Sequence, residues 1–428
     1  MKRYEKYKPT GIQWLPEIPE HWNIMQLRKY LSLVSIKDKG DKQLLSVTRE
    51  NGVIERDIYN LEENHNFVPE DLNGYKYVTP GQFVINKMKS WQGSYGVSDY
   101  EGIVSPAYFV CDLNFPNKEF FSQAIRSRAY VDFFAQWSKG IRVGQWDLEP
   151  IALKSIPFFE PPIPEQNKIV AYLDKRITLI DNCKCQRERE LQTLNELKQA
   201  EIASVVTRGL NPDVPMKDSG IPWIGQIPVH WDMKYLFQVA HEHYISNKDI
   251  HHQNLLSLSY GKIVHKDINT TEGLLPASFD TYQIIEPGNI VFRFTDLQND
   301  HKSLRVGLSK ETGIITSAYI AVEVDTIYIL PEYFYYTLHS FDIKKLFYSM
   351  GGGLRQSLNY NGIRKLYLPI PPLEEQKAIV SFVDNKIKKI EVMIQSLESE
   401  IDRLTEYKQR LISDVVTGQI DVRGEQIQ

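Results

Sequence analysis

The sequence contains few cysteines and no apolar segment long enough to span a membrane. Its 428 residues include three cysteines, Cys111, Cys183 and Cys185, which are too few for a disulfide framework and lack the spacing of a zinc knuckle. A membrane-spanning helix needs about 18 apolar residues in succession, and no run approaches that length. The basic stretch at the start is not followed by apolar residues, so we expect no secretion signal. We therefore expect a protein of the reducing cytoplasm that contacts no membrane.

A strong charge of one sign and the motifs of enzymes are also missing. The net charge of −4 does not indicate a nucleic-acid partner, although a local basic face is sufficient for binding one. The glycine run 351–353 lacks the lysine and hydroxyl residue that follow a phosphate-binding loop, and no carboxylate pair or Ser-His-Asp set stands out. One histidine-rich segment lacks the helical spacing of a zinc protease, so we interpret it as a solvated loop: His241, His243, His251 and His252. We predict no catalytic residue and no metal site.

The chain does contain a long internal repeat. The segment Gly11–Trp22, with the pattern Gly-x-x-Trp, Ile-Pro and His-Trp, returns as Gly220–Trp231. The stretch PPIPEQNKIVAYLDKRI from Pro161 returns as PPLEEQKAIVSFVDNKI from Pro371. Self-similarity of this length indicates two copies of one structural unit, and two copies favour a molecule with approximate twofold symmetry.

Each copy has the same predicted order of elements. Short β-rich runs separated by turn signals are followed by a proline-rich hinge and then by a long helix. We predict an α+β fold in which two similar mixed globules are joined by two long antiparallel helices that form an intramolecular coiled coil. The predicted boundaries are residues 1–159 for the first globule, 160–210 for the central long helix, 211–368 for the second globule, and 369–428 for the C-terminal long helix and tail.

The helix prediction depends on apolar residues that alternate in steps of four and three, which is the pattern of a coiled-coil seam. The predicted seam residues are Leu173, Ile177, Ile180, Leu191 and Leu194 in the first helix and Val383, Ile387, Ile390, Ile394, Leu397, Ile401, Leu404 and Leu411 in the second. The first seam departs from the second at Lys184 and Arg187, which stand where the second has Ile394 and Leu397. Two separate domains whose exposed helices dimerise with another chain are the alternative arrangement.

The two duplicated motifs resemble those of the specificity (S) subunit of type I restriction-modification systems. The resemblance covers essentially the whole chain and implies that each globule is a target-recognition domain for one half of a split double-stranded DNA site. It also implies that the helices bind two methyltransferase (M) subunits, which carry S-adenosylmethionine and methylate adenine N6. Restriction (R) subunits that use ATP and Mg²⁺ are further expected partners. The S subunit itself is implied to hold no cofactor and to catalyse no reaction.

Loops that mix basic, amide and aromatic side chains are the expected DNA contacts, because such side chains match base edges and phosphates. The predicted DNA-binding residues of the first globule are Lys87, Lys89, Trp91, Gln92, Tyr95, Lys139, Arg142 and Gln145. Those of the second are Arg293, Gln298, Asn299, His301, Lys302, Arg305, Arg355, Gln356 and Asn359. Arg142 and Arg355 recur in Gly-x-Arg sequences, which favours a shared phosphate contact over base reading.

Two other classes of function remain open at the level of sequence. One is a stand-alone DNA methyltransferase or nuclease whose motifs have diverged, and the other is a scaffold whose globules bind proteins. An enzyme would modify or cut DNA by itself, whereas a scaffold would add no sequence preference to a methyltransferase.

Overall fold

A computed structural model describes residues 2–57, 69, 71–140, 146–248, 252–268, 278–295, 297, 304–350 and 358–425. The chain divides into two compact units, Met1–Arg187 with Ser399–Gln428, and Glu188–Glu398. Each unit contains one globule and a portion of both long helices. Among the helices in these described ranges, none has the length and apolar character needed to cross a membrane.

In its described residues, the globule of the first unit is built from short strands and three short α-helices. Its strands are β1 (Tyr7–Ile12), β2 (Leu15–Pro19), β3 (Asn23–Gln26), β4 (Leu31–Val34), β5 (Leu45–Thr48), β6 (Gly52–Glu55), β7 (Lys76–Val78), β8 (Phe83–Asn86), β9 (Tyr95–Val97), β10 (Gly102–Val104), β11 (Tyr108–Leu113), β12 (Ser138–Lys139), β13 (Asp147–Leu148) and β14 (Pro157–Glu160). Its helices are α1 (Lys118–Ile125), α2 (Arg128–Trp137) and α3 (Pro150–Ser155), and the long helix α4 (Ile163–Arg208) follows. The main antiparallel sheet has the order β4-β11-β8-β9.

The second unit repeats this plan. Its strands are β15 (Met216–Asp218), β16 (Gln226–Pro228), β17 (Asp232–Tyr235), β18 (Ala240–His243), β19 (Ile245–Ser246), β20 (Leu256–Ser259), β21 (Lys262–His265), β22 (Gln283–Ile285), β23 (Ile290–Phe292), β24 (Val306–Leu308), β25 (Gly313–Ile315), β26 (Ile320–Val324) and β27 (Tyr367–Ile370). Its helices are α5 (Pro331–Ile343), α6 (Tyr360–Ile363) and the long helix α7 (Leu373–Val416). The order β18-β26-β23-β24 matches that of the first sheet, which confirms the predicted duplication.

The central strands of both sheets are covered on two faces, which explains their continuous apolar sequences. Phe83 and Ile85 of β8 lie in the large core under the sheet, whereas Val84 points into a smaller core on the other face. In β23, Ile290 and Phe292 lie in the large core and Val291 in the smaller one. Successive side chains of a strand point to opposite faces, so a strand buried on both faces is apolar at every position.

The repeated Gly-Ile pairs, Gly102-Ile103 and Gly313-Ile314, have a shared structural cause. Ile103 forms an isolated parallel bridge with Leu44, and Ile314 forms the same bridge with Leu255. A Cβ atom on Gly102 would lie 2.4 Å from the Gln43 carbonyl oxygen, and one on Gly313 would lie 2.6 Å from that of Asn254. Only glycine permits this close backbone approach.

Within each unit, α4 and α7 run antiparallel and are joined by ion pairs. In the first unit, Arg187 Nε lies 3.0 Å from Glu400 Oε1, and Lys408 Nζ lies 2.7 Å from Asp181 Oδ1. The order of these pairs shows the direction, because residue numbers rise along α4 as they fall along α7. In the second unit the pairs Lys198–Glu391 and Glu201–Lys386, at 2.8 and 3.1 Å, show the same direction.

The predicted seam residues of both helices are buried or half-buried, whereas most positions between them are exposed. Leu173, Ile390 and Leu411 are among the buried ones. The departure at Arg187 has a local explanation, since this side chain pairs with Glu400 across the two helices. The two long helices are therefore held by an apolar stripe and by charges at its border.

Candidate nucleic-acid interface

The structure brings the β8–β9 loop of the first unit, which is predicted to contact DNA, next to Trp146 and Asp147. The hairpin of β12 and β13 donates a hydrogen bond to the loop between β8 and β9, because Leu148 N donates to Lys87 O at 3.1 Å. Trp91 and Trp146 pack with their ring centroids 5.0 Å apart. Lys87 Nζ pairs with Asp147 Oδ2 at 3.0 Å, so a basic and aromatic cluster forms from segments that are far apart in the sequence.

The outer side chains of this cluster are available to a partner. Lys89 and Lys139 are exposed, and Trp91 and Gln92 are half-buried. Together with Lys87, these residues combine cations, an amide and an aromatic ring on one loop cluster, which is the mixture used for phosphates and base edges.

A groove of about 400 Å³ next to Trp91 and Gln92 adds basic residues that the sequence alone does not connect with the loops. It is lined in part by Arg49, Arg126 and Arg128. Arg126 is the most buried of the three, donates to the carbonyl oxygens of Arg49 and Glu50 at 3.2 and 2.6 Å, and has a pKa lowered by burial. No local sequence pattern joins these arginines, because the fold alone places them beside the loop.

Tyr95 corrects the predicted set of DNA contacts. Its side chain is fully buried and stacks on Phe134, with ring centroids 4.0 Å apart and ring planes at 27°. Burial raises the pKa of its hydroxyl well above the ordinary value. Tyr95 is the first residue of β9 and points into the core, so it belongs to the packing of the sheet.

Arg305 in the second unit is a second correction. It is fully buried, and its Nη1 donates to the Thr295 carbonyl at 2.9 Å and to the Arg293 carbonyl at 3.4 Å. Its Nε donates to the Tyr348 hydroxyl at 3.3 Å. A buried guanidinium that donates to carbonyl oxygens cannot contact a nucleic acid, so Arg305 stabilises the fold.

The remaining predicted residues of the second unit are only partly described. Arg293 is half-buried beside Arg305, and Asn359 is exposed at the start of α6, where its side-chain oxygen accepts from Gly362 N at 3.1 Å. The other predicted contacts lie outside the described residues and stay predictions: Arg142, Gln145, Gln298, Asn299, His301, Lys302, Arg355 and Gln356.

Two of the histidines that we interpreted as part of a solvated loop instead belong to a strand. His241 and His243 are on β18, and each has a ring nitrogen 3.5 Å from Glu323 Oε2 on β26. His243 is buried, and its Nε2 lies 3.2 Å from the Ile284 carbonyl oxygen. Within the described ranges, no group of three or more histidine, cysteine or acidic side chains could hold a metal ion.

A carboxylate at the start of each long helix explains the repeated His-Trp and Glu-Gln motifs. Glu165 accepts from Trp22 Nε1 at 3.0 Å, lies 2.8 Å from His21 Nε2 and also accepts from the Tyr4 hydroxyl. Glu375 receives the same two groups of the second copy, at 3.0 Å from Trp231 and 2.8 Å from His230. The histidines are therefore parts of a structural contact that joins each globule to its helix.

These features define a class of protein by its architecture: a duplicated protein in which each repeat couples a sheet-based globule to paired helices. The first repeat carries a basic and aromatic loop cluster away from its core. The second repeat has the same sheet and the same contact between globule and helix.

Comparison with known proteins shows which proteins this chain is similar to. The profile of the type I restriction modification DNA specificity domain matches residues 306–403. The type I restriction enzyme specificity subunits MjaX and MjaVIII of Methanocaldococcus jannaschii are 24% and 21% identical to this chain. Those alignments cover 98% and 95% of the chain, and 97% and 95% of the relatives. The chain is therefore similar to type I restriction-modification specificity subunits over nearly its full length.

A solved structure has the same fold over nearly the full length of the chain. It belongs to a study of complex assembly and conformational transition of the type I restriction-modification system. The TM-score is 0.67 at 14% identity, and the superposition covers 94% of this chain and 99% of the other. The likeness confirms the predicted architecture of two globules joined by long helices.

Proposed function

We propose that this chain is the sequence-specific DNA-binding subunit of a type I restriction-modification complex and that each unit reads one half of a bipartite site. The observation that carries the proposal is the duplication itself. Both units have the same sheet order, and the full-length relatives of the chain are named as specificity subunits. Two similar recognition units in one chain are suited to two short DNA sequences at a fixed separation.

The loop cluster of the first unit supplies the chemistry for one half-site. Lys87 and Lys89 can donate to guanine O6 and N7, and the Gln92 amide can pair with adenine in the major groove. Arg49 and Arg128, which are exposed beside the loop, are suited to phosphates and would position the unit without reading sequence. In the second unit the corresponding contacts are assigned to the predicted residues of the segments 293–302 and 355–359, without Arg305.

The partners follow from the same assignment. Two methyltransferase subunits bind the complex, carry S-adenosylmethionine and methylate adenine N6 in the site that this chain selects. Restriction subunits that use ATP and Mg²⁺ join them, and the chain itself catalyses no reaction. The long helices α4 and α7 offer exposed faces outside their apolar stripe for these partners.

Footprinting on double-stranded DNA with the chain and its methyltransferase subunits tests this function. We expect protection of two short sequences separated by a constant gap, and no protection of that pattern by the methyltransferase subunits alone. If the chain adds no sequence preference, the scaffold function is correct instead. If the purified chain modifies or cuts DNA without its partners, the enzyme function is correct.

A further inference from the structure

The groove beside Trp91 in the first unit contains the N-terminus of helix α2. Ser127 is the N-cap residue of this helix and lines the groove. An N-cap serine usually accepts a hydrogen bond from a backbone N–H of the first helical turn, but the side chain of Ser127 makes no such bond. The helix end therefore holds a hydroxyl group that the fold does not use for capping.

Two buried polar atoms of this groove have no hydrogen-bond partner among the described residues. Ser127 is only 3% exposed, and its Oγ lacks a partner. The indole Nε1 of Trp91, which also lines the groove, is buried and lacks one as well. Because an indole N–H can only donate and a hydroxyl can donate, the two atoms match a ligand that accepts hydrogen bonds.

The charges of the groove favour an anion. Its described lining contains the arginines Arg49, Arg126 and Arg128, and Asp132 is the acidic residue among them. Asp132 pairs with Arg128 at 3.7 Å, and the first turn of α2 contains no acidic residue. The N-terminus of an α-helix carries a partial positive charge and presents backbone N–H groups, so it adds to the attraction of an anion.

The fold builds this groove from three separate segments. Gly93 ends the 3₁₀ turn Ser90–Gln92 with a φ of +94°, and a Cβ atom there would lie 3.3 Å from Val131 Cγ2 of α2. Glycine thus lets the loop between β8 and β9 lie close against the helix. On the other side, Arg126 donates to two carbonyl oxygens of the turn between β5 and β6, at 3.2 and 2.6 Å.

The described residues of the second unit place no helix end at the equivalent position. Counted from the start of α1 and of α5, Arg126 corresponds to His339 and Ser127 to Ser340. Helix α5 continues through both positions, whereas α1 ends there and α2 begins. Ser340 is also buried, but its Oγ donates to the Thr337 carbonyl oxygen at 2.8 Å. Burial lowers the pKa of His339 to about 4, so this side chain is neutral where Arg126 carries a charge.

We propose that the groove at the N-terminus of α2 binds a phosphate group, which Ser127, Trp91 and Arg128 hold. Phosphate oxygens accept hydrogen bonds from the hydroxyl and the indole, and their charge pairs with the guanidinium. The inference rests on the proposed function, because in the complex this phosphate belongs to the DNA backbone beside the first half-site. It adds a contact that reads no base and that only the first unit makes with these groups. Free inorganic phosphate offers the same chemistry, and the experiment separates the two sources.

The test compares Ser127→Ala with the unaltered chain, each in complex with its methyltransferase subunits. Fluorescence anisotropy measures the affinity for labelled duplexes that carry the methylated motif, in which single phosphates are replaced in turn by uncharged methylphosphonates. In the unaltered complex we expect one replacement near the first half-site to weaken binding by about tenfold, the factor expected for one hydrogen bond to a charged group. The same replacement should weaken Ser127→Ala by a clearly smaller factor, whereas replacements elsewhere should weaken both complexes equally.

The matched control is Ser340→Ala, because Ser340 is the corresponding buried serine and already has an acceptor. It should keep the unaltered affinity and the full effect of the methylphosphonate. Hydrogen exchange at β8 should be the same in Ser127→Ala as in the unaltered chain, since the removed hydroxyl makes no bond within the described fold.

A second variant covers the case in which Ser127→Ala does not fold. The side chain of Arg128 is 71% exposed, so Arg128→Gln removes a charge from the groove without opening the core. We expect the slope of log affinity against log salt to fall by about 0.9, the value for one phosphate contact. The affinity for duplexes altered in the first half-site should fall by the same factor as that for the motif.

Inorganic phosphate alone is the second probe. If the groove takes free phosphate, added phosphate slows hydrogen exchange in peptides spanning Ser127–Val131 of the unaltered chain but not of Ser127→Ala. No single methylphosphonate then distinguishes the two complexes. This result supports the phosphate site and removes the DNA backbone from it.

Two results would overturn the inference. One is that neither probe distinguishes Ser127→Ala from the unaltered chain. The other is a loss of affinity that depends on the base sequence of the first half-site, which would make these side chains base readers. If the unaltered complex shows no sequence preference while Ser127→Ala and one methylphosphonate remain coupled, the proposed function fails and the phosphate site stands.

Discussion

Replacing Glu165 by alanine should destabilise the first unit more than replacing Glu375 destabilises the second. Both carboxylates join a globule to the start of a long helix, but they differ in burial. Glu165 is 6% exposed and Glu375 is 25% exposed. Glu165 accepts from Tyr4 and Trp22 in the interior, whereas Glu375 accepts from one buried group, Trp231.

The expected magnitude follows from the buried donors that lose their acceptor. Each buried donor left without a partner costs about 1–3 kcal/mol. We therefore expect a loss of about 2–6 kcal/mol for Glu165→Ala and about 1–3 kcal/mol for Glu375→Ala. The two histidines are 40% and 46% exposed, so water replaces the carboxylate there and their contribution is small.

Native-state hydrogen exchange measures the two units separately in the intact chain. Amides of β8 report the opening of the first unit and amides of β23 that of the second. The variants Glu165→Gln and Glu375→Gln are matched controls, because an amide oxygen still accepts from the tryptophan. An equal or larger loss for Glu375→Ala, or an effect in the opposite unit, would refute the reasoning.

Three further predictions concern pH, the loop cluster and the long helix. Burial raises the pKa of Asp342 from 3.8 to about 6, so its contribution to stability is present at low pH and is lost as pH rises through about 6. The free energy of unfolding of Asp342→Asn, minus that of the unaltered chain, should therefore rise by up to about 3 kcal/mol from pH 4 to pH 7.5, as measured by urea unfolding. A difference that does not change with pH would contradict this. Trp91→Ala removes the ring that packs on Trp146 and should weaken discrimination at the first half-site alone, as measured by anisotropy. Insertion of four helical residues within 199–210 adds about 6 Å and should lengthen the gap in the methylated motif, whereas altered half-site sequences would count against it.

Much of the fold could be predicted because repetition and periodicity report on burial directly. The seam positions alternate in steps that only a paired helix explains, and the His-Trp and Glu-Gln repeats are the two sides of one contact. Asp174 and Asp384 are also repeated and also structural. Asp174 accepts from Gln123 at 2.7 Å, and Asp384 accepts from the Tyr336 hydroxyl.

The candidate site was harder to predict because composition does not show which face of a strand a residue occupies. Tyr95 and Arg305 lie next to polar loops, yet each stands where a strand begins and its side chain points inward. A shift of one residue in the register of a strand moves each of its side chains to the opposite face of the sheet, and no local sequence signal shows which register is adopted. Arg49, Arg126 and Arg128 were missed for a different reason, since only the tertiary fold brings them beside Trp91.

Methylation sequencing tests the central claim most directly. Cells that express this chain with its methyltransferase subunits are compared with cells that lack only this chain. The account predicts one methylated motif made of two short sequences with a fixed gap, present only when the chain is expressed. A single continuous motif, or the same methylation without the chain, would contradict it.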